Sequence, residues 1–400
     1  MEIWLPYGRS EVPVRVPEER LIDILKPDKL GTQVEPVAEA QKLLEANELY
    51  KRIASEATRT CIVVGSCGSK QLAINLTETV LKQLPEKSRD ATTILCTREA
   101  GELDAIAFAQ AKVLRHTSKS PSAPVPGFQG DFAPKIDSAF LDANLRILIG
   151  ELRPHHFLKY SGLCDLVFPG LAAKDSINAH LSDRAGLTLE ALHIERIKIA
   201  LAFQNLFALG VVLDAEMTPN PLVFGRIHEC LPKLENAIER LYSKEVTRRA
   251  EIVIMGAGGA PFDESLRQAV EAFPAGLNAL KRDGVLIVAG ECGEGHGDGA
   301  FYDWSAERKE PRYLETRLRH RFSYDGYKAV FLARTLQTHR VYLVSTIPDY
   351  YVENVFGMKA ARTVNAALQT AQRTRGSDSM ISVIPNAVRV APKLTDAGTQ

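Results

Sequence analysis

Two histidines stand side by side, His155 and His156, in the stretch Gly150-Glu-Leu-Arg-Pro-His-His-Phe-Leu-Lys-Tyr-Ser-Gly-Leu-Cys-Asp-Leu-Val-Phe-Pro-Gly170. A third, His180, follows 24 positions after the second. Imidazole titrates near neutral pH and also ligates transition metals, so one segment offers both an acid/base and a metal ligand. Neighbouring side chains point in different directions, which leaves one of His155 and His156 for a site. Arg153, Lys159 and Asp165 lie between turn-forming residues in the same stretch. The competing reading is a solvated loop with one hydrogen-bonded histidine.

Two further segments carry chemistry. Gly65-Ser-Cys-Gly-Ser-Lys70 lies between an apolar run and a helical stretch. Its glycines would let backbone N–H groups approach an anion, with Ser66, Gly68, Ser69 and Lys70 as the binding candidates. A plain tight turn explains the same residues, and the spacing is not that of a Walker A loop. The loop Gly290 to Gly299 frames His296 between Gly295 and Gly297, with Glu291, Glu294 and Asp298 nearby. Gln268, on the helix expected after Pro261, is a further cleft candidate. No HExxH, GxSxG or complete GxGxxG is present, so zincin, serine hydrolase and ordinary dinucleotide-binding dehydrogenase readings lack their main support.

These residues need a scaffold, and the apolar runs supply one. Glu2 to Leu5 and Glu11 to Val16 flank Pro-Tyr-Gly and predict a hairpin. The spacing predicts a helix over 36–55. Cys61-Ile-Val-Val, the helical stretch Gln71 to Leu84 and Thr93-Ile-Leu-Cys then read strand, helix, strand, the grammar of a parallel sheet. Ser118 to Pro134 reads as a surface loop, Arg146 to Gly150 as a strand, Leu192 to Phe207 as a helix, and Gly210 to Asp214 as the strand closing the first half. The second half repeats the pattern: strands at Glu251 to Met255, Gly284 to Ala289, Val341 to Thr346 and Ile381 to Ile384, and helices over 263–273, 308–321 and 354–372. The tail after Lys393 reads as disordered. The expected fold is α/β with two domains, residues 1–245 and 246–400, each an open, mostly parallel sheet flanked by helices, with the site in the cleft between them.

Composition narrows the partners. Lys plus Arg and Asp plus Glu each number 49 in 400 residues, so no net field draws nucleic acid or anionic lipid. The longest apolar runs are far short of the roughly 18 residues of a membrane span. The N-terminus lacks the order of a signal peptide, and the six cysteines show no CxxC spacing. The expectation is a cytoplasmic protein with a small-molecule partner, no nucleic acid and no membrane, compatible with a homo-oligomer.

With these motifs in order, the chain resembles the nickel-dependent lactate racemase family. The resemblance rests on Leu5-Pro-Tyr-Gly, His155-His-Phe-Leu-Lys-Tyr-Ser-Gly with Phe168-Pro-Gly, Pro261-Phe-Asp-Glu-Ser-Leu-Arg-Gln-Ala-Val270, Gly295-His-Gly-Asp-Gly before Phe301-Tyr302, and Val383-Ile-Pro385. It implies a 2-hydroxyacid racemase or epimerase that passes hydride to a nickel pincer nucleotide while a histidine takes the hydroxyl proton. By the same resemblance His155 is the acid/base histidine, His180 the nickel ligand, and Gln268, His296 and Tyr327 line the substrate. Where the family carries the lysine that tethers the cofactor, this chain has Asp165, so the implied cofactor is not covalently attached. The family's second catalytic histidine falls near 97–102, where Glu99 or Glu102 is the replacement base, and Asp165 is a further acid/base candidate. The lysine expected after Gln268 is Glu271. The alternatives are a diverged lyase or isomerase without nickel, and a non-catalytic cofactor-binding homologue.

Overall fold

A computed structural model describes every residue except 29–34, 98–107, 109, 118, 131, 182–187, 215–216, 298, 308–309 and 395–400. The proposed bases Glu99 and Glu102, Asp298 and the end of the tail lie outside the described residues. The chain opens with the antiparallel hairpin β1 (Glu2–Tyr7) and β2 (Ser10–Arg15), as its turn signal predicts, followed by β3 (Leu21–Ile24).

The first large sheet is built from β4 (Thr60–Val64), β5 (Thr92–Cys96), β6 (Lys112–Arg115), β9 (Leu145–His155), β11 (Leu206–Leu213) and β12 (Pro219–Arg226). The strand order is β12-β11-β9-β4-β5-β6, parallel except for the β11–β12 pair. The segment expected to be a loop contains the short strand β7 (Ser122–Pro124), which pairs antiparallel with β8 (Lys135–Asp137) just beyond it. β10 (Lys159–Gly162) folds back antiparallel on the end of β9. Strand Thr60–Val64 is apolar at successive positions because both faces are covered: Cys61 and Val63 join one core, Ile62 and Val64 the other. This is the pattern expected of a parallel sheet with helices on both sides.

A short parallel pair, β13 (Ser243–Val246) with β19 (Ala391–Leu394), joins the start of the second half to the end of the described chain. The second large sheet takes β14 (Ala250–Gly256), β15 (Leu280–Ala289), β16 (Arg340–Val344), β17 (Lys359–Ala360) and β18 (Ile381–Ile384), all parallel. Its last member is β3, which pairs Leu21 with Ile381 and Ile24 with Val383. β3 therefore belongs by hydrogen bonding to the second sheet. Asp263 fastens the hairpin there too, its Oδ2 accepting the Gly8 amide at 2.9 Å and the Glu291 amide at 3.0 Å.

Several boundaries differ from the sequence reading, each for a local reason. The helix over 36–55 breaks at Asn47, whose side chain accepts from the Tyr50 amide and starts a second helix. The helix expected to run to Phe207 is Leu189–Leu201, and Asn205 at φ 53° turns the chain into β11, a conformation Asn tolerates. That strand does not close the first half, since β12 and the helix Ile227–Tyr242 follow. The stretch 263–273 forms only the turn Leu266–Ala269 and a 3-10 turn before the helix Phe273–Asn278. The helix expected from Asn354 starts at Val364, after Gly357 at φ 73° and the short β17.

The halves meet over Phe157, Leu158 and Leu192 from one side and Phe322 and Tyr324 from the other. Arg389 clamps Glu151 through two bonds of 2.9 and 3.0 Å, both groups buried. His156 Nε2 lies 2.8 Å from the Ala387 carbonyl.

Candidate functional site

The eleven-residue β9 carries the first half's polar residues into the junction, with Glu151, Arg153, His155 and His156 at its carboxyl end. β10 can pack back on it because Gly162, at φ 121°, has no Cβ; one there would lie 1.9 Å from the Glu151 carbonyl oxygen. The two adjacent histidines do diverge. Burial pushes the His156 imidazole down to about 4, with the Ala387 carbonyl opposing. It is a neutral group holding the halves together.

His155 faces the other way. Its Nδ1 accepts the amides of Phe157 and Leu158, each at 3.2 Å, which puts the proton of the neutral ring on Nε2. Nε2 faces the second half, 3.2 Å from Glu271 Oε2 and 3.5 Å from the Tyr324 hydroxyl. Tyr324 donates to Glu271 Oε1 at 3.1 Å, and the Lys328 ammonium is 2.6 Å from the same oxygen. Burial raises the Glu271 carboxyl, but Lys328 and His155 outweigh it and hold the group well below the usual carboxylate range. Burial and the Glu271 charge push the Tyr324 phenol well up, with Arg196 opposing. Arg267 pairs with Asp325 at 3.1 Å, and Asp325 lies 3.7 Å from Lys328. The result is an imidazole, a carboxylate and a phenol within proton-transfer distance across the junction, neutralised by a buried lysine.

A second network lies wholly within the first half. His180, on the helix Lys174–Leu181, is fully buried with Phe168 edge-on at 4.9 Å. Its Nδ1 is 2.9 Å from Glu195 Oε2, and its Nε2 accepts from Arg196 Nε at 3.3 Å. Arg196 Nη1 reaches Asp165 Oδ1 at 3.4 Å. Asp165 Oδ2 accepts from Ser161 Oγ at 2.7 Å and from the Gly162 amide at 3.2 Å.

The remaining sequence candidates are held as follows. Ser66, Gly68, Ser69 and Lys70 form the turn from β4 into the helix Lys70–Gln83, where Ser69 caps the helix by accepting from Leu72. A Cβ at Gly68 would come within 2.7 Å of Leu213, so chain packing accounts for that glycine. Gln268 accepts from Ser265 Oγ at 2.7 Å and donates to the Pro261 carbonyl at 2.9 Å. The His296 ring stacks on Tyr302 with centroids 4.3 Å apart, and its carbonyl accepts the Arg267 amide. Tyr327 packs edge-on against Phe157 at 5.3 Å. Only Tyr327 lies beside the His155 segment, while Gln268 and His296 approach the cluster through Arg267.

Sequence reasoning missed Tyr324, Lys328, Glu195 and Arg196, and it named Glu271 only as a departure from a family pattern. The available signal was a charge on an apolar stripe. Leu192, Arg196, Ile199 and Ala200 are the buried positions of one helix, and Lys328 lies among the buried residues of the helix Tyr324–Thr338.

The donor set does not fit a lysine-tethered nickel pincer nucleotide. Asp165 offers no amine, and both nitrogens of His180 are engaged by protein groups. The space beside Asp165 and Arg196 is a cavity of ≈ 10 Å³, about the room of one water.

Comparison with known proteins gives consistent matches. Residues 7–184 match the family model of the lactate racemase N-terminal domain, and residues 246–391 that of the lactate racemase C-terminal domain. A lactate racemase of Thermoanaerobacterium thermosaccharolyticum is 27% identical over 421 residues, covering 97% of this chain and 98% of the relative. One from Lactiplantibacillus plantarum is 27% identical over 271 residues, 64% of each chain. The solved lactate racemase apoprotein of T. thermosaccharolyticum superposes with a TM-score of 0.80 at 25% identity, covering 98% of this chain and all of that one. A Thermotoga maritima protein shares the fold at a TM-score of 0.63 and 15% identity, covering 93% of this chain and 100% of that one.

Proposed function

The chain belongs to the lactate racemase family, and on that premise we propose that it is an isomerase inverting the hydroxyl-bearing carbon of a 2-hydroxycarboxylate. The observation that carries this reading is the His155–Glu271 pair across the junction, 3.2 Å apart. With Nδ1 occupied by two backbone amides, His155 is a donor through Nε2 and Glu271 the adjacent acceptor. A hydroxyl entering between them gives its proton to the Glu271 carboxylate while His155 Nε2–H hydrogen-bonds the oxygen left behind, so the ring stays neutral. Tyr324 orients the carboxylate, and Lys328 keeps it ionised. A general acid–base pair of this kind contributes typically 10²–10⁴-fold. In the family the hydride acceptor is supplied by the nickel pincer nucleotide; in this chain Asp165 offers no amine to link such a nucleotide, and no step here is drawn through it.

The test is stereochemical. The protein, produced together with the pincer-synthesis enzymes, is incubated with single enantiomers of a panel of 2-hydroxyacids, and the products are resolved on a chiral column. Racemisation of at least one substrate, reduced roughly 10²-fold or more by His155→Ala and little by His156→Gln, is the expected result. If no enantiomer is converted, or if His155→Ala retains full rate, the reading fails. A second reading, an acid–base isomerase or lyase without nickel, draws support from Arg196 at His180 Nε2. Turnover with no nickel dependence would select it.

A further inference from the structure

A metal-bound histidine ordinarily donates its distal ring N–H to a carboxylate, which fixes the tautomer and aims the other nitrogen at the metal. His180 has that partner: Glu195 lies 2.9 Å from Nδ1. At the nitrogen left for a metal stands Arg196 Nε, donating at 3.3 Å. The guanidinium continues to Asp165 Oδ1 at 3.4 Å, at the position where the resemblance places a tether lysine. A guanidinium carries its charge in proteins, and only 7% of the Arg196 surface is exposed.

We infer that Arg196 is a built-in cation standing where a metal would bind His180, charge-balanced by Asp165, so that this chain takes up no nickel through His180. Asp165, Arg196 and His180 then form one unit. Losing the lysine for Asp165 removes a covalent anchor and supplies a counter-ion. The arginine uses that counter-ion on one side and the histidine lone pair on the other. His180 becomes a positioning residue for Arg196, and Glu195 keeps the ring in the tautomer that accepts. A nickel ion at Nε2 would have to displace a buried guanidinium and leave Asp165 without its partner, which opposes exchange.

This inference concerns the same chain as the isomerase reading but is tested without turnover, so a protein inert toward hydroxyacids still decides it. Nickel content is measured by mass spectrometry on the full chain and on His180→Ala. Each is produced alongside the pincer-synthesis enzymes and, separately, dialysed against Ni²⁺. Equal nickel in the two proteins is expected; one equivalent present in the natural chain and lost in His180→Ala overturns the inference. A thermal double-mutant cycle tests the charge unit itself. Arg196→Met should lower the unfolding midpoint by roughly 4–10 °C, because it strands Asp165. Adding Asp165→Asn should recover about half of that loss. If the two substitutions merely add, Arg196 and Asp165 are not coupled and the inference fails. The double variant keeps the test readable even if Arg196→Met alone does not accumulate.

Discussion

The two polar networks of this protein use similar residue types and differ in what they join. His180, Glu195, Arg196 and Asp165 come from neighbouring elements of one half and are bonded in series to one another. His155, Glu271, Tyr324 and Lys328 come from both halves and exist as a unit only when the halves are together. The first network can set shape and charge within its half. The bridging one can gain or lose a proton partner as the junction changes, which acid–base chemistry requires.

That comparison can be broken most forcefully at Lys328, which is 2% exposed and bonded to Glu271. Lys328→Met leaves Glu271 without its cation, and a loss of about 3–5 kcal/mol in chemical denaturation is expected. A smaller loss, under about 1 kcal/mol, would mean that the bridging cluster is solvated and no more demanding than a surface pair. A pH series at His156 comes next. Its folded value, about 4, lies below the ordinary 6.5, so between these values the unfolded chain binds more protons. Stability from this group is therefore complete above about pH 6.5 and is lost as pH falls toward 4, by at most about 3 kcal/mol. His156→Gln should flatten that part of the curve in urea titrations at stepped pH; an unchanged acid slope would remove His156 as a neutral clamp. The smallest effect is expected at Tyr327→Phe, which keeps the edge-on ring contact with Phe157 and should shift stability by less than about 0.5 kcal/mol. A larger shift would bring the Tyr327 hydroxyl into the bridging cluster.

Much of the scaffold could be read from the sequence because alternation is a local signal. Cys61 to Val64 and Val285 to Ala289 are apolar at every position, which only a strand covered on both faces or a buried helix requires, and their glycine-rich flanks select the strand. His155 was legible for the same reason, lying a few residues past such a run. Glu271 and Lys328 could not be paired from sequence, since 57 positions and a whole strand separate them (328 minus 271). Their adjacency follows from how the helix Tyr324–Thr338 crosses the turn after Gln268. Arg196 was hidden differently: a lone arginine on an amphipathic helix reads as a solvated face until its neighbours at Leu192 and Ile199 prove buried. Asp165 was recognised as a substitution, but its meaning depended on that arginine.

The placement of β3 beside β18 has a consequence in time. During synthesis residues 21–24 leave the ribosome long before their sheet partners at 381–384 exist. Until residues 381–384 have emerged, β3 must wait unpaired, while the hairpin can close on itself and the first sheet can already assemble. Every such pairing closes a loop of more than three hundred residues, and contacts so distant along the chain form late. β3, made early, is thus among the last strands to be set in place. A nascent chain stalled short of Ile381 should leave that segment open to protease while residues 60–226 are already protected.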